Sequence, residues 1–93
     1  MYLNLDFLYS YMTLEEMKIN DFKFLKALGQ GATCGSDIWR ITNMTPGTIY
    51  KISSEMQARG WIKLEKRSNK KIIHLTSKGG ILVRMVRDID RII

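Results

Sequence analysis

Four short or basic hydrogen-bonding residues recur at intervals of three near the start of one helical pattern. They are Thr45, Thr48, Lys51 and Ser54. Because residues three apart lie on the same side of a helix, these side chains are predicted to form one exposed polar face, whereas an ordinary solvated face would more usually carry glutamate–lysine pairs. Short hydroxyl side chains allow a helix backbone to approach a surface rich in hydrogen-bonding groups, such as the base edges in the major groove of DNA.

A block of basic residues follows this helical pattern. Residues 59–78 contain seven lysines or arginines and a single acidic residue, Glu65. The imbalance is regional, because residues 1–22 carry four acids and one base, whereas residues 23–93 carry fourteen bases and five acids. A basic block of this kind favours a polyanionic partner, and an ordinary solvated surface is the alternative that charge alone leaves open.

The chain shows no pattern typical of catalysis or of metal binding. It has one histidine, His74, and one cysteine, Cys34, so it has neither a disulfide framework nor a Cys/His ligand set. The glycine-rich stretch "GQGATCG" lacks the Lys-Ser/Thr pair of a phosphate-binding loop. We therefore predict that the protein is not an enzyme and uses no cofactor or metal, that His74 is structural, and that Cys34 is a small, partly buried residue.

The apolar residues are distributed as in a globular domain. They make up 45% of the 93 residues, which is enough for a packed core. No run approaches the 18 residues of a membrane span, and "MYLNLDFLYSYM" at the start lacks the basic region of a signal peptide. The pattern predicts a cytoplasmic protein without a membrane partner.

The first half of the chain is predicted to be helical. "TLEE", Thr13–Glu16, is a capping box that opens a helix ending near Leu28, with Met17, Phe24, Leu25 and Leu28 on its apolar side. Asn20-Asp21 is a second candidate start that would divide this segment, and the sequence does not choose between the two. The glycines of residues 29–35 predict a loop. Ser36 is then predicted to cap a short helix over residues 37–42, with Ile38 and Ile41 facing inward.

The second half is predicted to contain a helix, a hairpin and a final helix. Thr45 and Pro46 are typical of a helix start, Gly60 of a helix end, and Ile49, Ile52 and Met56 form one apolar stripe between them. "WIKLEKR" and "KKIIHLT" alternate as two strands around Ser68-Asn69, with Asn69 suited to a positive φ. Ser77 is predicted to cap the last helix. Both tryptophans, Trp39 and Trp61, are expected in the core.

At this point two segments resemble a known family. "PGTIYKISSEMQARGWI" is similar to the recognition-helix segment of winged-helix transcription regulators, especially the PadR-like group and more loosely the MarR-like group. "LTSKGG", Leu75–Gly80, is similar to the Leu-Thr-x-Lys-Gly sequence that closes the wing in that family. The resemblance covers roughly residues 20–80. One departure is Ser53, which stands where the family usually has a large aliphatic residue, so that the apolar stripe is slightly rotated.

The resemblance implies a fold and a function. The fold is α+β, mainly helical: a winged helix-turn-helix with a two-stranded wing and with N- and C-terminal dimerisation segments. The implied function is sequence-specific binding of double-stranded DNA by a homodimeric transcriptional regulator, with helix 45–59 in the major groove and wing 66–71 on the backbone or in the minor groove. A winged-helix module that binds protein without DNA is the alternative. The predicted DNA-binding residues are Ser36, Thr45, Thr48, Tyr50, Lys51, Ser54, Arg67, Asn69, Lys70 and Lys71, and a half-buried core position is the alternative for Tyr50.

The final helix carries a wide apolar stripe that predicts a homodimer. Its members are Ile81, Leu82, Met85, Val86, Ile89, Ile92 and Ile93. A stripe of this width would leave an apolar patch in water unless a partner covered it, and the apolar N-terminal segment is expected to pack on the same interface. The alternative is a monomer that folds the helix back over its own sheet. The predicted organisation is one domain, with an N-terminal extension (1–19), a winged-helix core (20–76) and a dimerisation helix (77–93). Any small-molecule effector is unknown from the sequence.

Overall fold

The computed structural model describes residues 18–92 of the chain. In this range there are four helices and one two-stranded antiparallel sheet, in the predicted order. The helices are α1 (Ile19–Gly29), α2 (Gly35–Thr42), α3 (Pro46–Ala58) and α4 (Ser77–Ile92), and the strands are β1 (Ile62–Arg67) and β2 (Lys70–Leu75). The predictions for residues 1–17, including the capping box Thr13–Glu16 and Met17, and for Ile93 lie outside the described residues.

Helix α1 begins at Ile19. The residue before it, Lys18, has an extended backbone (φ −82°, ψ 161°) and is the N-cap, so one continuous helix does not run from Thr13 to Leu28. The Asp21 carboxylate accepts the Lys18 backbone N–H at 3.2 Å, as in a capping box. The helix therefore begins next to the second predicted start, with Asn20 and Asp21 in its first turn and not at its cap. Phe24, Leu25 and Leu28 are buried, as predicted.

Helix α2 begins two residues earlier than predicted, and the assignment of Ser36 as its cap is wrong. The N-cap is Cys34, because the Asp37 carboxylate accepts both the backbone N–H and the hydroxyl of Thr33, at 3.0 and 3.1 Å, and draws the preceding residues into the first turn. Ile38 is fully buried, as predicted. Ile41 is 44% exposed, contrary to the prediction, because the short helix directs one narrow face to the core.

Residues 43–45 connect α2 to α3 in a tight turn, as the sequence predicts. Asn43 adopts a left-handed conformation (φ 60°), and its N–H donates to the Trp39 carbonyl at 2.7 Å to close α2. Thr45 is the N-cap of α3, Pro46 is its first residue, and Gly60 takes the positive φ (78°) that ends it. All three assignments are confirmed.

The hairpin pairs β1 with β2 from Ile62↔Leu75 at its base to Arg67↔Lys70 at its tip. The positive φ in the two-residue turn lies at Ser68 (φ 52°) and not at Asn69, where it was predicted. A positive φ at the first central residue alone is the pattern of a type II′ turn, whereas a type I′ turn would require it at both. A short bridge between Cys34 and Ile72 adds the α1–α2 connection to the edge of the sheet.

Helix α4 is capped by Thr76 and not by Ser77, which is its first helical residue. The Thr76 hydroxyl accepts the Gly79 N–H at 3.2 Å and donates to the Gly60 carbonyl at 2.6 Å, so it links the start of α4 to the end of α3. Gly79 lies directly against the Trp61 backbone: a Cβ built on it would be 1.9 Å from the Trp61 carbonyl oxygen. Only glycine allows α4 to approach the hairpin this closely.

The described elements share one hydrophobic core. Its largest fully buried side chains are Trp61, Phe24, Leu25, Ile38, Met56, Ile62, Leu82 and Val86. Helices α1 and α4 pack along each other, with a Lys26–Asp90 ion pair of 3.0 Å at the margin. The core position of Trp61 is confirmed, whereas Trp39 is 55% exposed and its predicted core position is wrong. Because Trp39 follows Ile38 on α2, only one of these two neighbours can point inward.

Candidate nucleic-acid interface

The start of α3 is organised by two threonine hydroxyls. The Thr48 N–H donates to the Thr45 hydroxyl oxygen at 3.3 Å, and the two hydroxyl oxygens lie 2.9 Å apart. Pro46 occupies the first helical position, where its missing N–H removes no helical hydrogen bond. Thr45 is exposed and Thr48 is half-buried, so both hydroxyls lie at the surface while they stabilise the helix start.

The remaining surface of α3 divides into a buried face and an exposed face. Ile49, Ile52 and Met56 are buried, as predicted, and Ser53 is buried with them at 8% exposure. Lys51 and Ser54 are therefore on the outward side, together with Tyr50, which is 67% exposed. Tyr50 is therefore a surface residue and does not take the half-buried core position that was its predicted alternative.

The hairpin presents basic residues next to this helix face. Lys71 lies on the same face of the hairpin as Leu64 and Ile73, because residues alternate sides along a strand. Its ammonium is 5.5 Å from the centre of the Tyr50 ring, a cation–π arrangement that joins β2 to α3. Lys70 and Asn69 are exposed at the hairpin tip.

Arg67, also at the tip, is held in a small polar cluster. Its Nε donates to one Glu65 oxygen at 2.9 Å, and His74 Nε2 lies 2.7 Å from the other. The Arg67 hydrogen bond, followed by that of His74, lowers the pKa of the Glu65 carboxyl. The Glu65 carboxylate therefore partly neutralises the charge of Arg67. Lys70 and Lys71 are then the wing cations that are more available to a polyanionic partner. His74 has a defined partner in this cluster.

A cavity of about 560 Å³ lies between α2, α3 and the sheet. Four of the predicted DNA-binding residues line it: Ser36 on α2, Tyr50 and Ser54 on α3, and Lys71 on β2. Trp39 and Gln57 also line it and were not selected from the sequence. Trp39 could not be assigned from local pattern, because the partner elements decide which side of an eight-residue helix is covered.

The residues that were predicted to form a dimer interface lie on the final helix, α4. Leu82 and Val86 are fully buried against the chain's own core, so they cannot offer surface to a partner. Ile81, Met85 and Ile89 are half-buried, and Ile92 is 85% exposed. The predicted dimer interface is therefore restricted to these four residues among those the structure describes. Ile19, at 75% exposure, is a further exposed apolar side chain at the start of α1.

Within residues 18–92, no group of three or more His, Cys, Asp or Glu side chains is arranged to hold a metal ion. None of the helices in the described part is both long and apolar enough to cross a membrane.

Comparison with solved structures identifies the fold. SSV1 F-93 superimposes with a TM-score of 0.68 at 18% identity, over 81% of this chain and 89% of its own. Sso10a-2, a DNA-binding protein from Sulfolobus solfataricus, gives 0.64 at 16% identity, over 82% and 81%. A MarR family transcription regulator gives 0.72 at 16% identity, over 92% of this chain. The chain has a winged-helix fold.

Within this fold, α2 and α3 form the helix-turn-helix and the β1–β2 hairpin is the wing, as the sequence resemblance implied. The chain spans about 56% of the length of the MarR family regulator. No protein-family model matches the sequence, and a search of the curated proteins gives no match either. The more specific PadR-like resemblance therefore stays a prediction.

Proposed function

We propose that this winged-helix protein is a transcriptional regulator that binds specific double-stranded DNA sequences as a homodimer. The observation that carries the proposal is the exposed face of α3, which presents short polar side chains and Lys51 beside a basic wing. A helix of this kind fits the major groove of B-DNA, where base edges offer donors, acceptors and the thymine methyl. Two structural neighbours, a Sulfolobus DNA-binding protein and a MarR family transcription regulator, support it.

The two elements are assigned different roles. Thr48, Lys51 and Ser54 on α3 read base edges, with Thr45 and the free N–H groups of the first turn near a phosphate. Lys70 and Lys71 of the wing contact the phosphate backbone, and Asn69 or Arg67 reaches toward the minor groove. Tyr50 and Ser36 line the cavity between the recognition helix and the wing.

The dimer rests on the outer side of α4. Ile92 projects into solvent, and Ile81, Met85 and Ile89 are only partly covered by the chain itself. Apolar side chains in this arrangement are typical of a helix-on-helix interface around a two-fold axis. Such a dimer would separate two recognition helices by about one DNA turn, roughly 34 Å, and would bind an inverted repeat.

A second candidate function is protein binding without DNA. It is favoured by the exposure of Trp39, Ile41 and Tyr50, because protein interfaces are enriched in aromatic residues. The lysines beside Tyr50 argue against it, since lysine is depleted from such interfaces.

Selection of bound sequences from random duplex DNA, followed by a salt titration, tests the proposal. We expect an inverted-repeat motif and an affinity that falls steeply with salt; about six phosphate contacts per dimer give a log–log slope of roughly −5. An absence of duplex binding at low salt, or an affinity independent of salt, would exclude the DNA-binding function and leave the protein-binding alternative.

Substitutions then separate the two kinds of contact. Lys51→Ala is expected to cost about 1–3 kcal/mol on the selected site and to relax the preference there. The double variant Lys70→Ala, Lys71→Ala should weaken all duplexes alike and make the salt slope shallower. Lys63→Ala is the matched control, because Lys63 is an exposed lysine that pairs with His74 near the base of the hairpin, away from Lys70 and Lys71 at its tip. A change of sequence preference in the wing variant, with none in Lys51→Ala, would contradict the assignment.

A further inference from the structure

One face of the wing, opposite to the face of Leu64 and Ile73, carries three linked ionisable side chains. Glu65 lies at the centre of this cluster: one of its carboxylate oxygens accepts the Arg67 Nε–H at 2.9 Å, and the other is 2.7 Å from Nε2 of His74. Residues two apart on a strand share a face, and diagonal neighbours on paired strands are within reach of long side chains. The register of the hairpin therefore builds the cluster.

At neutral pH the hydrogen in the His74–Glu65 contact belongs to the imidazole. The hydrogen bond from Arg67, followed by that from His74, lowers the pKa of the Glu65 carboxyl, so this carboxyl is ionised at neutral pH. An ionised carboxylate only accepts hydrogen bonds, so Nε2 of His74 must carry the hydrogen, and Nδ1 is the atom that gains a proton in acid. Histidine is the type of side chain that changes charge between pH 5 and 8, and the chain contains one histidine.

Protonation of His74 changes the charge balance of the cluster. With a neutral imidazole, the Glu65 carboxylate compensates the Arg67 guanidinium, and the three groups have no net charge. With an imidazolium, two cations share one carboxylate and the net charge is +1, so less of the carboxylate charge compensates Arg67. Of the two cations, Arg67 lies at the hairpin tip, where the wing would meet DNA, and its side chain is 69% exposed. The additional charge is therefore available at the tip.

The surroundings of His74 contain no second group of this kind. On the two strands, the charged residues on the same face as His74 are Lys63, Glu65, Arg67 and Lys70. Helix α4, which packs against β2, has Lys78 in its first turn. The α1–α2 connection, which is bridged to β2 at Ile72, has no charged residue over 30–34. His74 is thus the one member of this set whose type of side chain gains charge between pH 8 and 5.

We propose that His74 makes DNA binding by the wing respond to acid: its protonation draws on the Glu65 carboxylate and releases the charge of Arg67 to the DNA. The proposal rests on the function proposed above, in which the wing contacts DNA. Because DNA favours the state with the additional charge, binding takes up a proton, and protonation strengthens binding by the same factor. The affinity for DNA therefore rises as the pH falls through the titration of His74.

The cluster is tested first without DNA, by NMR between pH 8 and 5.5. We expect the Arg67 Nε–H signal to shift with the same midpoint as the ring signals of His74, the single histidine. His74→Gln retains a hydrogen-bond donor but cannot become charged, so the Arg67 signal should then stay constant. Arg40 is the matched control, because it forms a second arginine–carboxylate pair, with Asp37 at 2.6 Å, outside the wing. An Arg67 signal that does not follow His74 would overturn the coupling.

DNA binding is then measured on the selected site at pH 7.5 and 5.5, at fixed salt. We expect the affinity at pH 5.5 to be higher by about twofold to fivefold per wing, the range of an exposed ion pair, and so by roughly 4- to 25-fold for a dimer. The log–log salt slope of a dimer should steepen by about 2, because each wing neutralises one more DNA charge and releases one more counterion. His74→Gln should bind with the same affinity at both pH values.

Two further variants test the role of Arg67. Glu65→Gln should bind more tightly than the unsubstituted protein at pH 7.5, because Arg67 has lost the carboxylate that compensates it. Arg67→Gln should lose the response to pH, and a full response in this variant would refute transmission through Arg67.

The unsubstituted protein decides the remaining outcomes. An affinity that is equal at the two pH values would refute the acid response while leaving DNA binding intact. An absence of duplex binding at either pH would overturn the proposed function and the acid response together, whereas the coupled NMR shifts of His74 and Arg67 would stand independently.

Discussion

Replacing Gly79 by alanine should destabilise the domain far more than the same change one residue later. The new Cβ of Gly79→Ala would lie 1.9 Å from the Trp61 carbonyl oxygen and 2.9 Å from its carbonyl carbon. Both atoms belong to the backbone, so no side-chain rotation can relieve the clash, and α4 must move away from the hairpin. By contrast, a Cβ on Gly80 would meet no atom within 4 Å.

The size of the effect follows from three contributions. Overpacking that shifts backbone costs about 1–3 kcal/mol and occasionally more. Loss of the Thr76 hydrogen bond to the Gly79 N–H, at 3.2 Å, would add about 1 kcal/mol if the helix start moved. Alanine returns at most about 1 kcal/mol through its higher helix propensity. The net loss is about 1–3 kcal/mol, or roughly 4–24 °C in Tm for a domain of this size.

Gly80→Ala carries the propensity gain without the clash. It should raise the free energy of unfolding by about 0.5–1 kcal/mol. Urea denaturation followed by circular dichroism measures both variants against the unsubstituted protein. Equal stability of Gly79→Ala and Gly80→Ala would refute the close approach of α4 to Trp61.

Three further expectations concern a helix cap, a carboxylate and the exposed side of α4. Thr45→Ala should lower the free energy of unfolding by about 1 kcal/mol in urea denaturation, because it removes the N-cap of α3; no loss would refute that role. The pKa of Asp37 is lowered, first by the hydrogen bond from the Thr33 backbone N–H, so the stabilisation by its ionised carboxylate is present at neutral pH and is lost as pH falls through the lowered pKa. Asp37→Asn should therefore weaken the pH dependence of the free energy of unfolding below the ordinary aspartate pKa of about 4, and an unchanged dependence would contradict this reasoning. The double variant Ile89→Glu, Ile92→Glu should convert a dimer to a 10.8 kDa monomer in light scattering and should reduce DNA affinity. Arg84→Glu is the charge control. A monomeric unsubstituted protein would refute the dimer.

Local signals in the sequence predicted the elements that carry the candidate interface. Thr45, Pro46 and Gly60 fixed the ends of α3 because capping and positive φ depend on residues within one turn of the chain. The alternation of Ile62 and Leu64 with charged residues predicted the wing for a similar reason, since neighbouring residues on a strand face opposite sides. The exposed face of α3 followed from the same periodicity.

Tertiary packing decided the features for which two local solutions were available. Ile38, Trp39 and Ile41 all offered apolar surface on α2, and the packing of α1 and α3 against this helix buried only Ile38. The cap of α4 moved from Ser77 to Thr76, whose hydroxyl also donates to the Gly60 carbonyl and so joins α4 to the end of α3. The cap of α2 moved from Ser36 to Cys34 through a local contact that the pattern did not reveal, the hydrogen bonds from Thr33 to Asp37.

The cavity and the contact at Gly79 have the same origin. Each is formed by residues distant in the sequence: Ser53 opposite the strands in one case, and Gly79 against Trp61 in the other. Periodicity reports which side of an element is apolar, whereas the space left between elements depends on how closely their backbones approach. The sequence by itself therefore determined the helix and the wing, and the packing of α2, α3 and the sheet determined the pocket between them.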